Sequence, residues 1–321
     1  MPQSNQIEID GHALKLSNLE KVLYPGSGFT KGKVIDYYIR VSRFLLPHLK
    51  NRPLTMKRYP NGVAGGNFYE KDAPKFTPDW VATFPVPRRA GGRPIRYILV
   101  NDLATLAWCA NLANLELHPF LHRAPDIQRP TSVVFDLDPG EGADVLDCAR
   151  VAFLLKDLFD SHALETFAKV SGSRGLQVYV PLNTPITYEQ TRSLAQSVAT
   201  LLAREHPDLV IAKMTKSERT KKVFIDWSQN SDFKTTVGVY SLRAKRDTPF
   251  VSMPVTWEEL RAKKAEALFF SPEAALKRLE KSGDLFAPVL KKKQKLPKAL
   301  SQPASPSARN SSSNSPTALR G

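Results

Sequence analysis

The chain has 321 residues, 42% of them hydrophobic, and carries 46 Lys and Arg against 31 Asp and Glu, a formal net charge of +15 with a pI near 9.7. That is enough chain for one large or two small globular domains, and its two cysteines, Cys109 and Cys148, exclude a disulfide framework and a Cys-x-x-Cys zinc site. No run approaches the roughly 18 apolar residues of a membrane span, and Met1-Pro-Gln-Ser-Asn-Gln lacks a basic-then-apolar leader, so a cytoplasmic protein is expected. Seven cations and no acids lie between Lys291 and Gly321, leaving +8 on the rest, so the folded part is basic by itself. Such a balance points to a polyanion, nucleic acid before an anionic membrane, since the basic tail has no amphipathic apolar face.

Taken in order, Ile7-Glu-Ile-Asp-Gly11 predicts a short strand and turn, and Thr30 caps a helix through Val34, Ile35, Tyr38, Ile39 and Val41, with Pro47 near its end. Gly26 to Lys33 fails as a P-loop, because Val34 stands where the metal-binding hydroxyl is needed. Lys21 and Lys31 flank this turn-rich element, as a phosphate grip or as ordinary surface lysines. From Arg52 to Arg96, aromatics interleave with cations; Phe68 and Tyr69 suit either base stacking or half-buried strand packing. Tyr97 to Val100 reads as a strand, and Leu103 to Leu117 as a buried helix ending at Glu116-Leu-His-Pro119.

Thr131 to Gly140 carries the first chemistry. In a strand, Val134, Asp136 and Asp138 share one face and Phe135 and Leu137 the other, and Pro139-Gly140 ends the run. Two carboxylates side by side either form a solvated strand end or hold hard divalent cations, whose close pairing suits phosphoryl chemistry. A helix capped by Asp144 follows, then strands at about 166–170 and 176–181, a helix from about Tyr188 to Arg204, and a strand at about 222–227. This β-α-β-β-α-β order predicts an α+β fold, one antiparallel sheet with both helices on one face and the acids on the other. Ser171-Gly-Ser-Arg-Gly175 sits between two strands as a flexible turn or a triphosphate cradle, with Ser173 and Arg174 beside its glycines. Asp226 adds a third acid, and Lys234-Thr-Thr and Ser241-Leu-Arg243 place hydroxyls and cations just after it. A helical stretch follows Trp257, a capped helix starts at Ser271, and the composition turns to Lys, Pro, Ser and Asn from about Leu290.

Together, Lys21-Val-Leu-Tyr-Pro, Leu115-Glu-Leu-His-Pro, Val134-Phe-Asp-Leu-Asp-Pro-Gly, Ser171-Gly-Ser-Arg-Gly-Leu, Phe224-Ile-Asp-Trp-Ser-Gln-Asn and Lys234-Thr-Thr with Tyr240-Ser-Leu-Arg carry a resemblance. Over about residues 10–290 the chain resembles the polymerase domain of bacterial ATP-dependent DNA ligase D, in the archaeo-eukaryotic primase superfamily. The resemblance implies a primase-polymerase fold whose RRM-like βαββαβ catalytic sheet packs with an N-terminal α/β module. The implied organisation is a catalytic domain over 1–295 (module about 1–130, core about 131–245, C-terminal elements about 246–290) and a disordered basic tail over 296–321.

It further implies a DNA-directed nucleotidyltransferase that fills gaps and extends 3′ ends in bacterial non-homologous end joining. Asp136, Asp138 and Asp226 would hold two Mn²⁺ or Mg²⁺ ions. Lys57, His118, Ser171, Arg219 and Arg243 would contact an incoming NTP or dNTP, with ribonucleotides preferred, joined by Ser173, Arg174, Gln177 and Lys234 around the same phosphates. Lys21 and Lys31 would grip a 5′-phosphate beyond the gap, and Arg58, Phe68 and Tyr69 would meet DNA near it. One departure is Gln177, where the family commonly has histidine; glutamine bonds a phosphate but cannot become cationic. The chain also lacks a Lys-x-Asp-Gly ligase nucleophile, so a stand-alone polymerase is expected, working with a separate ATP-dependent ligase and a Ku-type end-binding protein. The rivals are an inactive DNA-end bridge and a phosphatase with an Asp-x-Asp nucleophile, the latter disfavoured by Gly140.

Overall fold

The protein is described by a computed structural model over residues 5–297. Strands β1 (Asn5–Ile9) and β2 (His12–Leu16) form a hairpin about Asp10-Gly11, both at positive φ. The short β3 (Val22–Tyr24) and β4 (Phe29–Thr30) enclose a turn and lead into α1 (Lys31–Leu49). The Thr30 hydroxyl accepts the Lys33 N–H at 3.3 Å, the cap expected from sequence, and α1 buries Val34, Ile35, Tyr38 and Val41 as that pattern requires.

A five-stranded sheet follows, centred on β5 (Pro53–Arg58). Its partners are β6 (Phe68–Glu70) near one end, β8 (Ile95–Leu99) near the other, with β7 (Thr83–Val86) outside β8. Helix α2 (Leu103–Asn111), capped by Asp102, stops short of its expected end: Ala113 takes a left-handed φ of +55, and the chain re-enters the sheet as β9 (Asn114–Pro119), paired with β5. The predicted helix through Leu117 is therefore half strand. The apolar run hid the change, because both elements are buried and a buried run reads alike in either period.

The second half bears out the β-α-β-β-α-β order. It runs β10 (Ser132–Pro139), α3 (Val145–Asp160), β11 (Phe167–Val170), β12 (Leu176–Pro181), α4 (Tyr188–Glu205) and, after the two-residue β13 (Val210–Ile211), β14 (Val223–Asp226). Residues Leu242–Arg243 (β15) and Phe250–Val251 (β16) form a small ribbon, and Pro254–Val255 (β17) joins the main sheet, whose order is β13-β14-β10-β12-β11-β17. Phe135 meets Phe159 of α3 with ring centroids 5.5 Å apart, and α3 and α4 both pack on β10, so the helices cover the Phe135–Leu137 face. The opposite face is not left open. Gly238 N–H donates to Leu117 O at 2.8 Å and Thr236 N–H to Pro119 O at 3.3 Å, tying the segment after β14 to β9 and roofing part of that face.

Two further expectations change at the C-terminal end. The stretch after Trp257 forms two 3-10 turns, Glu259–Arg261 and Ala265–Leu268, before the predicted helix α5 (Pro272–Ser282) capped by Ser271. The compositional break at Leu290 does not end the fold. Helix α6 (Ala287–Lys291) crosses it, and Gln294 is held by Leu182 and Pro181, its N–H and side-chain amide donating to their carbonyls at 2.9 and 2.8 Å. The rest of the expected tail, 298–321, lies outside the described residues.

Candidate active site

Register builds the site. Asp136 of β10 stands opposite Asp226 of β14 on one side and Gln177 of β12 on the other, and Gln177 stands opposite Lys169 of β11. Because cross-strand partners share a face, these four polar side chains form one row across four strands, with Asp138 two residues further along the same face. Burial raises both the Asp136 and Asp138 carboxyls, and their neighbours' charges, Asp138 and Asp226 respectively, raise them further. The Gln177 amide opposes this, donating to Asp136 Oδ1 at 3.1 Å and to Thr236 Oγ1 at 2.7 Å. Lys169 is fully buried, donates to Ser252 Oγ at 2.7 Å, and is lowered to about 7 by burial, with Arg243 adding and Asp136 opposing.

Asp226 is on the expected face but engaged locally. It caps the turn Trp227–Gln229: Oδ1 accepts the Ser228 N–H at 3.0 Å and the Ser228 hydroxyl, and Oδ2 accepts the Gln229 amide at 3.1 Å. Among the described residues, no three His, Cys, Asp or Glu side chains stand as a ready-made metal cage. The donor set still fits a hard divalent cation, because Mg²⁺-type ions are usually held by one or two carboxylates completed by waters and substrate phosphates. Asp136 and Asp138 supply such a pair, all oxygen, with a repulsion that a cation would relieve.

A cavity of about 1170 Å³ opens over the row, lined by Asp136, Asp138, Gln177, His118, Ser171, Ser173, Arg174, Arg219, Lys234, Arg243 and Tyr69, among others. Thus residues separated by up to 191 positions in sequence, Thr55 and Arg246, share one space. The glycine-rich turn is more self-contained than expected: the Ser171 hydroxyl accepts the N–H groups of Ser173 and Gly175, both at 3.2 Å, so those donors do not converge on the cavity. Its glycines are required by close approach, since a Cβ at Gly175 would meet Leu137 O at 2.2 Å. Arg243 Nη1 ties the turn down by donating to Ser171 O at 2.7 Å. Arg174 reaches Gly140 O at 3.2 Å, Arg219 lies over the Phe224 ring at 3.7 Å, and the Lys234 ammonium bonds the Ser228 hydroxyl.

The wall opposite in the chain comes from β5, β6 and β9. Lys57 pairs in register with Glu116 on one side and Tyr69 on the other, and its ammonium lies 5.2 Å from the Tyr69 ring centroid. Neighbouring residues of β6 point to opposite faces, so Tyr69 looks toward His118, with ring centroids 5.7 Å apart, while Phe68 lies over the Arg58 guanidinium at 5.3 Å. The structure thus separates the paired stacking candidates. Both rings remain exposed, at 45% and 56%.

Lys21, Lys31 and Arg58 form a second basic cluster. Lys31 is buried, donates to Ser17 O at 2.7 Å and Ser17 Oγ at 3.2 Å, and is lowered to about 8 by burial and by the charges of Lys21 and Arg58. Lys21 reaches Asn61 Oδ1 at 3.1 Å, and Arg58 is committed to Glu70 at 2.7 Å and Leu112 O at 2.9 Å. Sequence reasoning missed Glu116 and Lys169, and it placed the Lys234-Thr-Thr hydroxyls near the third acid without the bond that Thr236 makes to Gln177. The strict alternation Leu115-Glu-Leu-His was the available signal, since a strand there puts Glu116 on the same face as His118.

The sheet order, the paired acids of its first strand and the cation-lined cavity define an RRM-like catalytic fold of the primase-polymerase class. The family described as the LigD primase-polymerase domain matches residues 30–286, and the chain belongs to that family. It is 43% identical over 278 residues to the multifunctional non-homologous end joining protein LigD of Mycolicibacterium smegmatis, covering 86% of this chain and 36% of that protein. It is 34% identical over 272 residues to the bifunctional LigD of Bacillus subtilis, covering 84% and 43%. The chain therefore spans well under half the length of these relatives. The fold matches the polymerase domain of Mycobacterium tuberculosis ligase D, solved in complex with DNA, with a TM-score of 0.80 at 40% identity, over 86% of this chain and 98% of that one. Among the described residues, no helix is long and apolar enough to cross a membrane.

Proposed function

We propose that the chain is a metal-dependent polymerase that adds nucleotides to a primer 3′-hydroxyl at gaps or broken DNA ends during non-homologous end joining. The observation that carries this reading is the Asp136–Asp138 carboxylate pair at the floor of a cavity walled by Arg174, Arg219, Lys234 and Arg243. Asp136 and Asp138 would hold divalent cations, which would supply Lewis-acid activation of the attacking oxygen and charge neutralisation of the departing pyrophosphate. The residues do the rest: Arg219, Arg243, His118 and Lys57 bind and orient the triphosphate, Gln177 holds Asp136, and Tyr69 offers a ring face to a base. Asp226, whose Oδ2 accepts only the Gln229 amide, would offer its remaining lone pair as a third ligand. Lys31, with Lys21, takes the 5′-phosphate of the downstream strand. Mn²⁺ or Mg²⁺, a ribonucleotide preference, a Ku-type partner and an ATP-dependent ligase that seals the filled gap complete the proposal, and family kinship is their support.

Incorporation of each nucleotide type on a gapped duplex bearing a 5′-phosphate, repeated with Asp136→Ala, tests it. DNA binding with no incorporation under both Mg²⁺ and Mn²⁺ would replace it with a non-catalytic end bridge, the reading favoured by the local engagement of Asp226.

A further inference from the structure

Glu116 is a fully buried acid in the middle of a wall that the proposed reading gives to a polyanionic ligand. Its Oε2 accepts from His118 Nε2 at 2.8 Å and lies 3.9 Å from the Lys57 ammonium. Its Oε1 accepts the Ala244 N–H at 3.0 Å and lies 3.5 Å from Arg243 Nε. One carboxylate thus meets two cationic side chains, Lys57 of β5 and Arg243 of β15, and the imidazole of His118 of β9, whose burial disfavours its charged form. Through Arg243, whose Nη1 holds Ser171 O, it is also coupled to the glycine-rich turn.

A buried anion beside a triphosphate site is adverse by charge counting alone. It becomes useful if the cations would not otherwise stay in place. We infer that Glu116 is a positioning residue, holding the Lys57 and Arg243 cations, with the His118 ring beside them, as a preorganised cluster for the incoming nucleotide; this rests on the proposed polymerase reading.

Several observations converge on it. Burial by itself would raise the Glu116 carboxyl, but the hydrogen bond from His118 and the charges of Arg243 and Lys57 hold it well below the usual range, so it stays ionised. An ionised carboxylate only accepts, so His118 carries its proton on Nε2 and turns Nδ1 away from Glu116. Burial lowers Lys57 and Glu116 opposes that loss, while Lys245 and Arg243 push further down. Without Glu116, Lys57 loses the anion that opposes its downward shift, and Arg243 loses the carboxylate that faces its Nε. Charge counting and positioning therefore predict opposite signs for Glu116→Gln: tighter triphosphate binding in the first case, weaker in the second.

The test uses the full chain, with MnATP binding by calorimetry and steady-state incorporation on the gapped, 5′-phosphorylated duplex. Glu116→Gln is expected to raise the nucleotide KM and the MnATP Kd by roughly 10- to 100-fold, with a smaller change in kcat and the KM for DNA unchanged. Glu116→Asp, which keeps the charge on a shorter arm, is expected to fall between. Unchanged or tighter MnATP binding in Glu116→Gln would overturn the inference. Should that variant fail to fold, the histidine ¹⁵N spectrum of the wild-type chain decides, a proton on Nδ1 of His118 with Nε2 bare overturning it. Wild-type chain that binds MnATP but extends no primer would remove the polymerase reading alone. Wild-type activity with an indifferent Glu116→Gln would remove only the role of Glu116.

Discussion

Gln177 and Asp136 are cross-strand partners, and the Gln177 amide donates one proton to Asp136 Oδ1 and the other to Thr236 Oγ1. The side chain is 2% exposed and its Oε1 accepts from the Tyr179 hydroxyl at 3.3 Å, so every polar atom of this amide is engaged. The position that departs from the family's histidine therefore acts on a carboxylate first. Gln177→His is expected to change kcat while leaving the nucleotide KM nearly unaltered, because the new ring still has an N–H to offer Asp136 but not a second one for Thr236. Steady-state kinetics check this; a KM shift with constant kcat would mean the side chain meets the triphosphate directly.

Asp136→Asn removes one of the mutually repelling carboxyls. Incorporation is expected to fall by at least about 10²- to 10³-fold, while the melting temperature holds or rises. The sign follows from linkage: a carboxyl raised in the folded state favours folding most at low pH and loses that contribution as pH climbs through its folded value. Mn²⁺ is expected to raise the melting temperature of the wild type more than that of the variant, and stripping the metal with a chelator should reverse the gain. Calorimetric melts with and without Mn²⁺ provide the readout.

Lys31 gives the pH dependence. Its ammonium is lowered to about 8 by burial and by the nearby cations Lys21 and Arg58. The charged form is the one a phosphate needs, so preference for a 5′-phosphorylated over a 5′-hydroxyl gap is expected to be full near pH 6.5 and to fade as pH rises through about 8. Lys31→Met is expected to abolish the preference at every pH. Fluorescence anisotropy with the two duplexes measures it, and a flat wild-type profile would remove Lys31 from phosphate binding.

Gly140 ends the strand that carries the acids, and a Cβ there would lie 1.8 Å from the Arg219 carbonyl oxygen. Gly140→Ala must push apart β10 and the loop that positions Arg219. A destabilisation of about 1–3 kcal/mol is expected, with a rise in nucleotide KM. Urea titration gives the first number and kinetics the second; wild-type values for both would show that the loop shifts freely.

Phe135→Ala tests the packing that aims the acids. The ring is fully buried against Phe159, on the face opposite Asp136. A loss of about 3–5 kcal/mol in unfolding free energy is expected, measurable by the same titration. A cost near zero would mean that α3 does not brace this strand.

Much of the architecture was legible because it is local. Thr30, Asp144 and Ser271 cap helices where a short oxygen precedes an apolar 3.6-residue pattern, and the alternation around Asp136 and Asp138 exposes a face before any partner strand is known. The β9 error shows the limit: Leu115 and Leu117 are apolar in either reading, and the left-handed turn at Ala113 has no glycine or proline to announce it. The tether of Gln294 was also hidden, because five hydrogen bonds with Glu165, Pro181, Leu182 and Thr184 leave no trace in a Lys- and Pro-rich composition.

The sequence by itself determined the α+β alternation, the face on which Asp136 and Asp138 lie, and the cationic character of what surrounds them, since side-chain period and charge are properties of each segment alone. Only the tertiary structure decided that Asp226 bonds Ser228 and Gln229, that Gln177 serves Asp136, and that Glu116 binds Lys57, His118 and Arg243 together. The first depends on the backbone turning sharply after β14, the other two on strand register and on where remote segments meet. A buried charge is satisfied by whichever opposite charge the fold brings within reach, and that distance is set by packing.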